Sequence, residues 1–211
     1  MSETPTIIGI AGASGAGKSS LAKQLHDRLR TTRSAADIAI LHEDSYYRRR
    51  DDLSLEERNQ INYDHPSAYE HDLMTQHLQE LQAGRAIEVP QYDYAVHNRS
   101  TETVAMHPAR VLIVEGILIL HNPSLREQLD LRVFVDVPLD ICLSRRILRD
   151  CQERGRDIGS VLSQYDLTVR PMFFEFVEPS KDHADLIVPG GGENKKAIEV
   201  LHGHLDRLLV I

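Results

Sequence analysis

The chain has 211 residues, 41% hydrophobic and 27% charged, with 24 Lys and Arg against 32 Asp and Glu for a formal net charge of −8. That length suits a single domain, residues 1–211, with a buried core and room for an insert and a lid. The acidic balance argues against a nucleic-acid backbone as the main partner, no apolar run is long enough to span a bilayer, and MSETPTIIGIAG lacks an export signal, so a soluble cytoplasmic protein is expected.

Ile7 to Ala11 reads as a short buried strand that runs directly into GASGAGKS at residues 12–19. Leu21, Leu25 and Leu29 then recur at helical spacing, giving strand, turn, helix. The turn matches G-x-x-x-x-G-K-[ST], in which small residues let the backbone curl so that successive amides face phosphate oxygens. Gly12, Ala13, Ser14, Gly15, Ala16 and Gly17 form that cradle, Lys18 sets a cation beside the outer phosphates, and Ser19 offers a hydroxyl to Mg2+. Ser20 follows in the helix, whose positive dipole end points at the same place. A merely flexible turn would need neither the strand before it nor the amphipathic helix after it, so nucleotide binding is expected.

Ile38 to Leu41 is a second strand, ending at His42, Glu43 and Asp44. About seventy residues separate it from the third, too many for one crossover. They hold a helical stretch over 69–83 and an 85–106 insert, which includes VPQYDYAVHNRSTETVAM, whose alternation and turn residues predict a projecting hairpin. Val111 to Val114 is the third strand, ending at Glu115 and Gly116, and Leu131 to Val137 is the fourth. Region 140–165 is helical and carries Arg145, Arg146, Arg149, Arg154 and Arg156; its two cysteines, Cys142 and Cys151, have neither ligand nor disulfide spacing. Leu186 to Val188 is a fifth strand and 194–209 a last helix.

The alternation predicts an α/β fold: a P-loop NTPase-type five-stranded parallel sheet flanked by helices, with active residues at the carboxyl ends of strands. Asp44 and Glu115 fall at such ends. A carboxylate there suits either a hard cation or acceptance of a hydroxyl proton; read alone, each is as readily a cap or loop residue.

Together, GASGAGKSS, EDSYY, NYDHPSA, EGILIL, RRILRDCQERGR and QYDLTVRPMFFEFVEPSK resemble the uridine-cytidine kinase family of P-loop kinases, from about Thr6 to the carboxyl end. The resemblance implies a β-hairpin insert and a helical lid over 140–165. It implies transfer of the γ-phosphate of ATP or GTP to the 5'-hydroxyl of uridine and cytidine, giving UMP and CMP in pyrimidine salvage. Asp44 would be the base, with Ser19, Asp44 and Glu115 on Mg2+. Asp64 and Arg156 would hold the ribose, and Tyr92, Tyr94, His97 and Gln164 the pyrimidine. Lys18, Arg146, Arg149 and Arg154 would neutralise the phosphates, with Arg146 also reaching the acceptor, whereas Arg145 points elsewhere into a surface ion pair. The family also implies a homotetramer and inhibition by CTP or UTP. One departure stands out, Gly190, where the family has an arginine after IVP.

Two other readings use the same phosphate loop. A phosphoribulokinase-like or pantothenate kinase-like enzyme shares the strand-end carboxylates, but a phosphorylated acceptor calls for more basic residues in the insert than this aromatic, charge-mixed one has. A nucleotide switch would need a guanine motif, and NKKA at 194–197 places Ala197 where N-K-x-D requires a carboxylate.

Overall fold

The computed structural model describes residues 5–31, 34 and 37–209. Strands β1 (Thr6–Gly12), β2 (Ile38–His42), β5 (Val111–Glu115), β6 (Leu131–Asp136) and β7 (Leu186–Pro189) form one sheet in the order β2-β5-β1-β6-β7. Every pair in it is parallel. Successive side chains of a strand point to opposite faces, and both faces here are apolar. On one, Ile8, Ile10, Ile113 and Val133 pack with helices α1 (Lys18–Arg30) and α8 (Lys195–Leu208) through Leu21, Leu25, Ile198 and Leu205. On the other, Ile7, Leu112, Val114 and Phe134 pack with Met74, Leu78 and Leu81 of α3 (His71–Gln82) and with Leu118, Ile119 and Leu120.

The crossover from β2 holds the short helix α2 (Leu55–Asn59), capped by Ser54, then α3, then an antiparallel hairpin of β3 (Ile87–Asp93) and β4 (Asn98–Met106) outside the main sheet. Ile87 and Val89 root the hairpin in the core. After β5 come α4 (Pro123–Arg126) and β6; Pro138 then opens α5 (Leu139–Glu153). Helix α6 (Ile158–Gln164) continues through α7 (Arg170–Met172), with π-helical turns at Tyr165–Val169 and Phe173–Val177. Such turns recur where a helix is bent to serve a site, and here they pass beside Ser14, Asp64 and Ile117.

Parallel register fixes what meets at the carboxyl edge. Glu115 lies level with Ile10 on one side and with His42 on the other, so the phosphate loop and the ends of β2 and β5 share one rim. Among the described residues no helix is long and apolar enough to cross a membrane.

Candidate active site

A cleft of about 830 Å³ runs along this rim, a volume suited to small-molecule ligands. Its floor is the phosphate loop. Gly17 caps α1 in the left-handed region at φ 91°, which a side chain would strain, and Ser14, Gly15 and Gly17 line the cleft. Lys18 is buried and its Nζ donates to the Ala13 carbonyl at 3.0 Å, lying back across the loop.

Ser19 Oγ donates to Glu115 Oε1 at 2.9 Å, and His42 Nδ1 meets the same oxygen at 2.7 Å. Burial works to raise the Glu115 carboxyl, but the hydrogen bond from His42 and the charge of Lys18 outweigh it and hold the group below its usual range. In return the carboxylate pushes the His42 imidazole up. Neighbouring ligands on an octahedral Mg2+ stand about 2.9 Å apart, so the Ser19 and Glu115 oxygens fit two adjacent corners. Among the described residues no group of three or more His, Cys, Asp or Glu forms a protein-only metal cage.

Across the cleft stands Asp44, whose Oδ2 accepts from the Tyr94 hydroxyl at 2.9 Å. The Arg154 guanidinium lies 4.4 Å over the Tyr94 ring, so hairpin and lid region meet at this residue. Behind them is an aromatic box. Tyr92 packs on Tyr47 with ring centroids 4.8 Å apart and sets its edge against Tyr94 at 5.2 Å, while Tyr63 stacks on His97 at 5.3 Å. His97 sits at φ 47°, a left-handed turn conformation uncommon for a side-chain-bearing residue, which aims the ring back onto Tyr63. Burial, then the charges of Arg156 and Arg154, push its pKa down, leaving a neutral ring with one donor and one acceptor nitrogen.

Asp64 is buried in the same wall, with Arg156 also lining the cleft. Burial raises its carboxyl pKa, with Arg146 and Lys18 opposing. A carboxyl raised on folding is held more comfortably protonated, so its ionised form is a strain on the folded protein at neutral pH. Asp64→Asn is therefore expected to raise Tm at pH 7 while raising the KM for a diol-bearing acceptor; a fall in Tm would contradict this account of the charge.

The arginines gather on the lid side. Arg146 donates to Ser14 Oγ at 2.8 Å and to Gln164 Oε1 at 2.9 Å, and Arg156 donates to the same Gln164 oxygen at 2.5 Å. The carbonyl of Gln164 thus serves two guanidiniums rather than an open base edge. Arg145 makes the surface ion pair expected from the sequence and also reaches the cleft. It pairs with Glu193 at 2.6 Å, as a surface arginine would, yet its Nη1 reaches the Ala16 carbonyl and it lines the cleft. The α5 helix lies close over the loop, which brings this residue back to the floor. Gly190 takes φ 78° and starts the turn Gly191–Glu193, and a Cβ on Gly191 would strike the Ala16 carbonyl. A tight glycine turn against the phosphate loop occupies the place of the expected arginine.

Four residues that touch this machinery were not singled out by motif: His42, Tyr47, Tyr63 and Asp150. The tyrosines lie inside the segments EDSYY and NYDHPSA, next to the acids Asp44 and Asp64. His42 closes a strand that ends beside Glu115, a signal readable once strand order is known. Asp150 lies four residues from both Arg146 and Arg154 on a helix.

Residues 7–197 match the model of the Phosphoribulokinase / Uridine kinase family. The chain is 56% identical over 202 residues to the uridine kinase of Proteus mirabilis, covering 96% of this chain and 95% of that one. It is 54% identical over 203 residues to the uridine kinase of Vibrio cholerae, with the same shares covered. A solved structure described as a "possible uridine kinase" from Bacillus stearothermophilus superposes with a TM-score of 0.59 at 20% identity, over 89% of this chain and 90% of that one, a likeness of fold.

Proposed function

The chain belongs to the phosphoribulokinase/uridine kinase family, and on that premise we propose that it phosphorylates uridine and cytidine at the 5'-hydroxyl, taking the γ-phosphoryl group of ATP or GTP. The observation that carries this reading is one cleft in which a phosphate loop faces, across Asp44, an aromatic box and a buried carboxylate. A nucleoside has three matching parts: a flat base for the box, a diol for Asp64 and Arg156, and a 5'-hydroxyl that then faces Asp44.

Donor phosphates lie against the amides of residues 12–19 with Lys18 beside them. Asp44 takes the proton of the 5'-hydroxyl as its oxygen bonds to the γ-phosphorus, the bond to the β–γ bridging oxygen breaks, and the nucleoside diphosphate leaves. Tyr94, donating to Asp44 Oδ2, keeps the other carboxylate oxygen turned to the acceptor. Arg146, Arg149 and Arg154 meet the charge that spreads over the transferred group. Ser19, Glu115 and Asp44 would hold Mg2+, which when bound neutralises charge on the donor phosphates.

The His97 ring offers a donor and an acceptor, so by exchanging tautomers it suits both the uracil carbonyl and the cytosine amino group. His97→Ala is expected to raise KM for both nucleosides about tenfold, the scale of one lost hydrogen bond in a closed site, with donor KM unchanged. Unchanged uridine and cytidine kinetics would remove His97 from the base site. The family resemblance extends the proposal to a cytoplasmic homotetramer inhibited by CTP and UTP. Sedimentation and inhibition of initial rates test those two properties.

The decisive assay follows diphosphate release with Mg2+ and ATP or GTP, offering uridine, cytidine, adenosine, ribulose 5-phosphate or no acceptor. Release with uridine and cytidine alone supports the proposal. Release with ribulose 5-phosphate, or without an acceptor, replaces it with the sugar-phosphate kinase or the switch.

A further inference from the structure

The lid side of the cleft contains a fully buried carboxylate that the phosphoryl-transfer scheme does not use. Asp150, on α5, is 0% exposed, and four arginines surround it. Arg149 contacts its Oδ1 at 2.9 Å, Arg154 the same oxygen at 3.5 Å, and Arg146 and Arg156 its Oδ2 at 3.6 Å each. Asp64 also acts on Arg146, but Asp150 is the carboxylate that all four arginines share. Like charges gathered this closely repel, and the carboxylate at their centre offsets that repulsion.

The contacts are unequal. Arg149 Nε makes a hydrogen bond to Oδ1, whereas Oδ2 has no hydrogen-bond partner, and neither has Arg146 Nε beside it. A buried carboxylate oxygen left without a hydrogen bond is costly, and natural structures rarely keep one without a use. Three of the four arginines are therefore drawn to Asp150 by charge but not tied to it: Arg146 and Arg156 instead donate to Ser14, Gln164 and Ser160, while Arg154 lies over Tyr94, where its N–H groups can meet another anion. The fan also spans the cleft: Arg146 touches the phosphate loop through Ser14, Arg154 covers Tyr94 next to Asp44, and Arg156 shares Gln164 with Arg146.

We infer that Asp150 is a positioning residue, the common counter-charge that gathers the lid arginines over the phosphate loop and yields them to the donor's phosphates. Binding is then an exchange of partners, carboxylate for phosphate, and release of the diphosphate is its reverse. Asp150 never touches substrate; its negative charge weakens phosphate binding and keeps product from being held. This inference rests on the proposed phosphoryl transfer only in naming phosphates as the incoming anion.

The test uses the whole protein and inorganic tripolyphosphate, with no acceptor. Asp150→Asn keeps the shape and the acceptor for Arg149 but removes the charge. It is expected to bind tripolyphosphate about tenfold more tightly, since a like charge has gone from beside the anion, and to lose kcat through slower diphosphate release. Unchanged or weaker tripolyphosphate binding overturns the inference, even if Tm and kcat both fall, because a purely structural role predicts that pattern. Should the variant not fold, side-chain nitrogen NMR of the unmodified protein decides. The Arg149 Nε–H signal is expected to shift on adding tripolyphosphate, and an unmoved signal at saturation overturns the exchange. Failure to phosphorylate uridine would sink the proposed acceptor while leaving this result standing.

Discussion

Asp44→Asn is expected to lower kcat for uridine phosphorylation by about 10²- to 10⁴-fold, the range attributed to a positioned general base, with affinity for a non-hydrolysable ATP analogue unchanged. The amide has nearly the same shape and can still accept the hydrogen bond that Tyr94 now gives to Oδ2 at 2.9 Å. It cannot take the hydroxyl proton at neutral pH. Asp44 is also proposed to face Mg2+, and the two roles separate experimentally. If the loss came from weakened metal binding, raising Mg2+ would restore turnover; a loss that persists at saturating Mg2+ assigns it to the proton. Near-normal turnover would require another base, and among the acids lining the cleft Glu115 is already engaged by Ser19 and His42.

The phosphate loop was legible because everything it needs is contiguous: a strand, three glycines, a lysine and a serine, then a helix. Asp44 and Glu115 were legible one step further out, since a parallel sheet gathers its active residues at strand ends. His42 lay beyond that step. Its contact with Glu115 crosses 73 positions of sequence and exists because β2 and β5 pair in parallel with those two residues level. Strand order in an open sheet is not written in any local pattern.

The aromatic box shows the same limit. Tyr92, Tyr94 and His97 stand in one insert, while Tyr47 and Tyr63 enter from the loops after β2. Asp150 is harder still. Its spacing from Arg146 and Arg154 suggests an ordinary exposed helix pair, worth a few tenths of a kcal/mol, and only burial against the lid converts it into the centre of a cluster. Gly190 is visible as a departure, but its physical meaning, a left-handed residue opening a turn whose next residue, Gly191, presses on the Ala16 carbonyl, needs the approach of two distant loops.

Glu43→Ala is expected to lower stability by about 3–5 kcal/mol, two hydrogen bonds of a buried carboxyl group at about 1.5–3 kcal/mol each, and to lower Tm by roughly 10 °C in a chain of this size. Glu43 is 0% exposed although it precedes the proposed base. Its Oε1 accepts from His71 Nε2 at 2.8 Å and its Oε2 from the Leu118 amide at 3.0 Å. A Cβ on Gly116 would collide with the Glu43 side chain, so the β5 loop closes directly on it. One carboxylate thereby fastens the end of β2, the start of α3 and the loop after Glu115. Glu43→Gln keeps an acceptor for the Leu118 amide and changes only the group that faces His71, so it should lose less stability than the alanine variant. Its kcat should still fall where both proteins are folded, because Asp44 and Glu115 sit on the two segments this residue joins, and misplacement by about 1 Å can cost 10²-fold. Melting of Glu43→Ala within about 2 °C of the unmodified protein, less than 1 kcal/mol on this scale, would show that the two loops are held together by the apolar contacts beneath them and not by Glu43.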